Sequence, residues 1–467
     1  MTTSSAGIGS GLDVNSIVTQ LMAIEQRPLT ALQTKATAIQ STVSEYGKIK
    51  SAVSALRDLA SKLASSTTWA QTTAAASNTA VTATTNANAI PGAYTVEVQT
   101  LASVQTIAMG TAVPATTTPG AGTLHIELGS YGTGQTSFTP KADATAVDVA
   151  ITATDTLATV RDKINAAGAG VTALVMTDAS GSRLLIRSNT SGAANAFRTS
   201  GVASLAFDPS AGVTTMTQSQ TAADAAATVN GLAVTSPSNT LSNIVDGLTL
   251  NLSALTTGPV TVNVVTDTDA LKKTITDFAA AYSAVIKLIA TDTKYDPTTK
   301  TGGILQGDSA ATGLQRQLRT LVGTSSGASA LFGHVSDAGL ELQGDGSMTV
   351  NASKLSNALG NLGELKKLFS NSDLLDPSKD GFGKRFRVVT DALLGVDGAL
   401  TTRTDGLGQQ LQRNQKDQDA LQVRLDAIEK RMRAQYTALD ATMAQLNSQS
   451  SYITQQIAAF NANSSSK

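Results

Sequence analysis

The stretch Leu421-Gln-Val-Arg-Leu425-Asp-Ala-Ile428-Glu-Lys-Arg-Met432 places apolar residues at steps of four, three and four. The same face continues through Leu439, Met443, Leu446, Ile453, Ile457 and Phe460. This is a heptad seam with one four-residue insertion, which locally unwinds a supercoil. The flanking positions carry Gln, Ser, Arg and Asp. No proline falls between Leu407 and Phe460, and the last glycine is Gly408. The segment therefore reads as one helix of roughly 50 residues, about 75 Å long at 1.5 Å per residue. Such a rod is longer than a small domain is wide, so an adjacent globular core cannot bury its whole seam.

Its natural partner within the chain lies at the other end. Ile39, Val43, Tyr46, Ile49, Val53, Leu56, Leu59 and Leu63 recur at steps of three and four, one apolar stripe on a helix that ends near residue 64. A shorter helix precedes it, with Ile17, Leu21 and Ile24 on one face. Asp13 or Asn15 is placed to cap it. Pro28 either ends or kinks that helix, or sits in the first turn of the next one. The outer ends, Leu21 to Leu32 and Leu439 to Phe460, are left uncovered by this pairing. Such ends are expected to be mobile in an isolated chain and ordered in an assembly.

Between the helical ends the texture changes. From about 70 to 266 the chain is rich in Ala, Thr, Ser, Gly and Val. Period-two runs such as Tyr94-Thr-Val-Glu-Val98, Leu124-His-Ile-Glu-Leu128 and Val260-Thr-Val-Asn-Val264 predict half-buried antiparallel strands. Short helices are expected at Leu157 to Ala167 and Leu241 to Val245. Helix returns at Leu271, with Ile275, Phe278, Tyr282, Val285, Ile286 and Ile289 on one face. A loop from Asp292 to Gly307 follows, then a helix capped by Asp308 or Ser309, and a hairpin turning at Asp345-Gly346. Trp69, at the change of texture, reads as a packed junction residue. The fold class is α+β and multidomain: long terminal helices pair as a coiled-coil or helical-bundle leg, with β-rich antiparallel head domains inserted between them.

Composition excludes several chemistries. Lys plus Arg number 34 against 35 acids, a net charge of −1. Lys141 is the only basic residue between Lys62 and Arg161, and none lies between Arg198 and Lys272. Nucleic acid has no basic surface to hold it there. With no cysteine there is no disulfide, thiolate site or cysteine nucleophile, and two histidines, His125 and His334, make no multi-histidine metal centre. Asp292, Asp296 and Asp308 lack calcium-loop spacing and suit loop and helix-cap roles. Gly7-Ile-Gly-Ser-Gly follows no strand and lacks the Lys of a phosphate loop. No cofactor, metal or catalytic residue is expected. No apolar run of 18 residues spans a membrane, and no cleavable leader is recognised, so the chain is expected either to be cytoplasmic or to be exported by a route that needs no general secretory signal.

The motifs at the two ends bear a family likeness. Gly7-Ile-Gly-Ser-Gly-Leu-Asp-Val-Asn-Ser-Ile-Val18, with Gln20-Leu-Met22 and Glu25, resembles the N-terminal signature of flagellar filament cap proteins, the hook-associated protein 2 or FliD family. Leu439-Asp440, Met443 and Leu446-Asn-Ser-Gln-Ser-Ser-Tyr-Ile453 resemble its C-terminal signature. Asp277-Phe-Ala-Ala-Ala-Tyr282, Tyr295-Asp-Pro297 through Gly307-Asp308, and Gly406-Leu407 opening the last helix also fit. Residues 156–192 resemble a small module of hook-associated proteins and flagellins.

The resemblance implies a cap at the distal filament tip, outside the cell, that retains flagellin and promotes its folding and insertion. It implies a ring of about four to six copies. It also implies hook–filament junction proteins, an export chaperone and the type III export apparatus as partners, and neither nucleic acid nor membrane insertion. The division expected is a leg from 1–45 and 425–467, a helical bundle from 46–75 and 270–424, a head from 76–106 and 222–269, and a second head from 107–221 inserted in the first. The assembly interface is expected at Ile17, Leu21, Ile24, Leu421, Leu425, Ile428, Met432, Leu439, Met443, Leu446, Ile453 and Ile457. A surface adhesin that binds host glycan or mucin through the β-rich domains is the alternative.

Overall fold

The computed structural model describes residues 13–464. They form two compact units, one of the residues up to Ser66 with those from Leu271 on, the other Thr67–Ala270. In the first unit the helices, numbered in chain order, are α1 (Val14–Glu25), α2 (Arg27–Ala64), α3 (Thr268–Thr293), α4 (Ser309–Gly323), α5 (Ala352–Leu359), α6 (Leu362–Ser370), α7 (Phe382–Leu394) and α8 (Ala399–Ser464).

The α2 stripe is buried at Ile39, Tyr46, Ile49, Val53, Leu56, Ala60 and Leu63. It packs on α7 and α8, while α3 buries Ile275, Phe278, Tyr282, Val285, Ile286 and Ile289. Phe386 of α7 meets Phe278 edge-on at 5.1 Å and Tyr282 at 6.0 Å, a geometry worth about 0.5–1.5 kcal/mol per pair beyond area burial. Gly383 permits the α7 approach: a Cβ there would lie 2.8 Å from both the Ala64 nitrogen and the Phe369 carbonyl oxygen. The expected hairpin pairs Leu340–Leu342 with Met348–Val350 and turns through Gly346 at φ +88°. Ser283 clamps it to α3, its hydroxyl donating to the Met348 carbonyl (2.9 Å) and accepting from the Met348 amide (2.8 Å).

Asp308 joins three helices. It caps α4 by accepting from the amides of Ala310 (2.9 Å) and Ala311 (3.1 Å). It also accepts from the Tyr46 hydroxyl of α2 at 2.6 Å and from Arg403 Nη2 of α8 at 2.7 Å. The Arg403 guanidinium lies 5.9 Å from the centre of the Tyr46 ring. Burial alone would raise the Asp308 carboxyl; the bonds from Tyr46, the backbone and Arg403 outweigh it and hold the carboxyl below its ordinary value. Of the other two aspartates of the sequence cluster, Asp296 accepts from the Thr298 amide at 2.8 Å and Asp292 is buried at the end of α3. Among the described residues no group of three or more His, Asp or Glu is placed to hold a metal.

The second unit is built of antiparallel sheets around two cores. A five-stranded sheet runs in the order Thr72–Ala76, Val260–Thr266, Gly92–Thr100, Ala225–Val229, Leu232–Ser236. A three-stranded sheet of Thr240–Val245, Leu248–Leu252 and Val81–Thr85 accompanies it, and Val81, Val96, Val98, Leu241, Leu250 and Val262 fill one core. The other core gathers Ile107, Leu124, Ile126, Leu184, Ile186, Phe197 and Phe207, with Leu157, Val160 and Ile164 of the helix Leu157–Ala166. The chain enters this second core on Thr106–Met109 and leaves on Met216–Gln220, and the two strands pair. Beside them the buried Gln105 amide bonds both Phe197 backbone groups, Nε2 to the carbonyl at 2.8 Å and Oε1 from the amide at 2.9 Å.

Two expectations are corrected. Leu241 to Val245 is strand, not helix: Leu241 pairs with Leu250 and is buried, and a register shift follows it with Asn243 at φ +60°. The last helix opens at Ala399, ahead of Gly406, with both glycines inside it. Leu400 and Leu407, one heptad apart, are buried, and that packing outweighs the ~1 kcal/mol cost of each interior glycine.

Two stability measurements test this account. At neutral pH Asp308→Asn should cost about 2 kcal/mol, as expected for hydrogen bonds to a charged group. Because the native carboxyl is held below its ordinary value of 3.8, its contribution is present above that pH and lost as pH falls further, so the gap to wild type narrows in acid. A gap that stays constant or widens in acid contradicts the bond network. The Tyr282 hydroxyl is buried with no hydrogen-bond partner among the described residues, and burial pushes its pKa up to about 12. Tyr282→Phe should therefore leave the melting temperature unchanged or raise it; a fall refutes the unpaired hydroxyl.

Candidate assembly interface

The interface is best followed along α8, 66 residues and therefore about 100 Å long. Its first part lies on α2 and α7. A polar step comes next, where the buried Asn414 accepts from Gln418 Nε2 at 2.6 Å. Then Leu421, Leu425, Ile428, Met432 and Tyr436 pack with Val14, Val18 and Met22 of α1 and Leu29 of α2. Leu425 is the most deeply buried α8 residue of that set. The steps from Ile428 to Met432 to Tyr436 are both of four, which locates the insertion in the heptad pattern.

Asp13 caps α1, its carboxylate accepting from the Ser16 amide at 3.0 Å. Asn15 Oδ1 accepts from Arg433 Nη1 at 2.9 Å, and Arg433 Nε donates to Glu429 at 2.8 Å, pinning the start of α1 against α8. The break between α1 and α2 is the single residue Gln26, itself in helical conformation, with Pro28 in the first turn of α2. The proline ring has no N–H to continue the ladder, which explains a break without a turn.

The face that α1 turns to α8 is distinct from the Ile17, Leu21 and Ile24 face named for assembly. Val14, Val18 and Met22 are buried, whereas Ile17 and Leu21 are half-buried and Ile24 is 55% exposed. At 100° per residue the two sets occupy adjacent arcs, so α1 is apolar over nearly half its circumference and only one side is filled.

Past Tyr436, α8 continues for roughly 40 Å. Leu439, Met443, Leu446, Ile453 and Ile457 are all exposed there, between 38% and 57%. The structure thus joins the residues from Leu421 to Met432 in an intrachain seam and leaves the later positions uncovered. Gly7 to Leu12 and the Phe460 side chain lie outside the described residues. Val14, Val18 and Met22 escaped the sequence reading because both sets have helical spacing; only the position of Leu425 distinguishes them.

Comparison with known proteins agrees with this architecture. The family model for the flagellar hook-associated protein 2 N-terminus matches residues 10–105, that for its C-terminus matches 222–448, and the flagellin hook IN motif matches 130–190. The flagellar hook-associated protein 2 of Escherichia coli K12 is 33% identical over 485 residues, covering 99% of each chain. The A-type flagellar hook-associated protein 2 of Pseudomonas aeruginosa is 28% identical, covering 92% of each. The crystal structure of the D1-D2-D3 domains of the E. coli flagellar cap protein FliD superposes with a TM-score of 0.60 at 29% identity, covering 78% of this chain and 99% of that one. The chain belongs to the flagellar hook-associated protein 2 family, the FliD proteins.

Proposed function

We propose that this chain is the structural cap at the distal end of the flagellar filament, retaining exported flagellin and promoting its folding and insertion there. The observation that carries the reading is the half-covered seam. Burying a Leu, Ile or Met side chain stabilises by about 1.5–3 kcal/mol, and five such side chains from Leu439 to Ile457 are exposed on one helix. A family member with this feature gains by meeting neighbouring chains at the tip. The second apolar arc of α1, Ile17, Leu21 and Ile24, faces the same need. Several copies would form a ring, with α8 and α1 as legs toward flagellin. Export through the type III apparatus with a chaperone, and a place beyond the hook–filament junction proteins, complete the proposal.

The role is structural and calls on no cofactor. The division into leg, bundle and two heads stated above is part of the proposal. Separate cores in the β-rich unit support it, as does the paired entry and exit of the inner head. Relatives matched over 92% and 99% of their length bear the hook-associated name, which favours the cap over the adhesin.

Disrupting the gene in its host should give cells without filaments that shed unpolymerised flagellin, rescued by added protein; normal filaments overturn the reading. The double substitution Leu439→Asp/Leu446→Asp should change monomer stability by less than about 0.5 kcal/mol, as at exposed sites, yet abolish that rescue. A large fall in melting temperature would instead place the two leucines in an intrachain core.

A further inference from the structure

We propose that the strand Val171–Asp178 is an open sheet edge on which an extended, acidic and apolar segment of exported flagellin adds as a further strand. This rests on the cap reading above and names a surface that receives the arriving chain. The four-stranded sheet of the inner head runs in the order Met216–Gln220, Thr106–Met109, Gly181–Ser188, Val171–Asp178, so the last strand has a single neighbour. Alternate residues of an antiparallel strand turn their backbone groups to opposite sides. Gly170 accepts from the Asn189 amide at 3.0 Å on the side of the neighbour, and Ala173 turns the other way. The Asn165 side chain takes up both Ala173 groups, its Oδ1 accepting from the amide at 2.7 Å and its Nδ2 donating to the carbonyl at 3.0 Å. Val175 and Thr177 face the same open side, and their backbone groups have no partner there among the described residues.

Sheet edges are commonly blunted by lysine, proline or a bulge. Val171–Asp178 has none of these, and Leu174 and Met176 on its outer face are 44% and 55% exposed. The neighbouring strand supplies charge. Arg183 lies opposite Met176 and Arg187 opposite Thr172, with the half-buried Leu185 between them. Neither arginine has an ion pair among the described residues, and Arg183 Nε is buried without a partner. Asp178, the one acid on these two strands, is engaged in its own turn and accepts from the Ser180 amide at 2.7 Å. The arginines stand about 10 Å from an added strand, two strand spacings, which arginine and glutamate side chains span between them. An added strand thus gains main-chain bonds at Val175 and Thr177, apolar contact at Leu174 and Met176, and charge complementarity if it carries acids. A second copy of this chain fits less well. Its own alternating acidic runs, 94–98 and 124–128, are already paired on both sides. Two copies of the edge set antiparallel about Val175 would oppose Thr177 to an Ala173 closed by Asn165. A chain that arrives unfolded has its backbone groups free.

The test titrates full-length protein with three labelled peptides. One alternates valine and glutamate, the second valine and lysine, and the third is the glutamate peptide with every valine N-methylated. The first should bind, and the other two at least about tenfold more weakly, having lost the charge match or the main-chain donors. On binding, the Val175 and Thr177 amides should exchange at least about tenfold more slowly, with Ala173 unchanged. Arg183→Gln/Arg187→Gln should keep the wild-type melting temperature and lose the preference for glutamate over lysine. Equal binding of the methylated peptide, unchanged exchange at Val175 and Thr177, or an unaltered preference in the glutamine variant overturns the proposal. In cells lacking the gene, the glutamine variant should shed more flagellin monomer than wild-type protein does. Shedding equal to wild type sinks the flagellin assignment and leaves the cap standing. Wild-type protein that restores no filaments sinks the cap, while the peptides still read the open edge.

Discussion

The helical unit is governed by a mismatch of lengths. A helix of 66 residues, α8, lies alongside α2 and α1, which have 38 and 12. Its own chain packs the seam as far as Tyr436, and beyond that Leu439, Met443, Leu446, Ile453 and Ile457 are exposed. The covered part is fastened at both ends. Asp308 ties α2, α4 and α8 through Tyr46 and Arg403, and Asn15 meets Arg433 beyond the last buried heptad position. A fastened base carrying a partly covered seam follows from that arrangement.

The β-rich unit meets a different constraint. Short Ala/Thr/Val strands have little apolar area each, and the chain answers by building two cores. The chain enters and leaves the second core on two strands, Thr106–Met109 and Met216–Gln220, that pair with each other. Gln105 completes that junction, its side-chain amide bonding the Phe197 backbone as a neighbouring strand would.

Much of this was legible in the sequence, for physical reasons. Heptad spacing is visible from residue 421 to 432 because successive turns of α8 repeat the same contact with α1. Strand alternation at 94–98, 124–128 and 260–264 is visible because each strand has one wet face. What stayed hidden depends on contacts distant in sequence. The choice between Val14/Val18/Met22 and Ile17/Leu21/Ile24 is made by Leu425, more than 400 residues away. Leu241 to Val245 is a strand because Leu248–Leu252 pairs with it. The Gln105 amide leaves no periodic trace at all. Gly406 and Gly408 look like a helix start, yet Leu400 already packs one heptad earlier.

Amide hydrogen exchange along α8, measured on the free chain and on the chain seated at filament tips, tests the central claim most directly. Exchange should be slow up to about Tyr436 in both states. Beyond it, exchange should be fast in the free chain and at least about tenfold slower at the tip, since local opening free energies follow buried contacts. Equal protection of residues 439–457 in the two states would mean that the seam needs no partner, and would contradict the account.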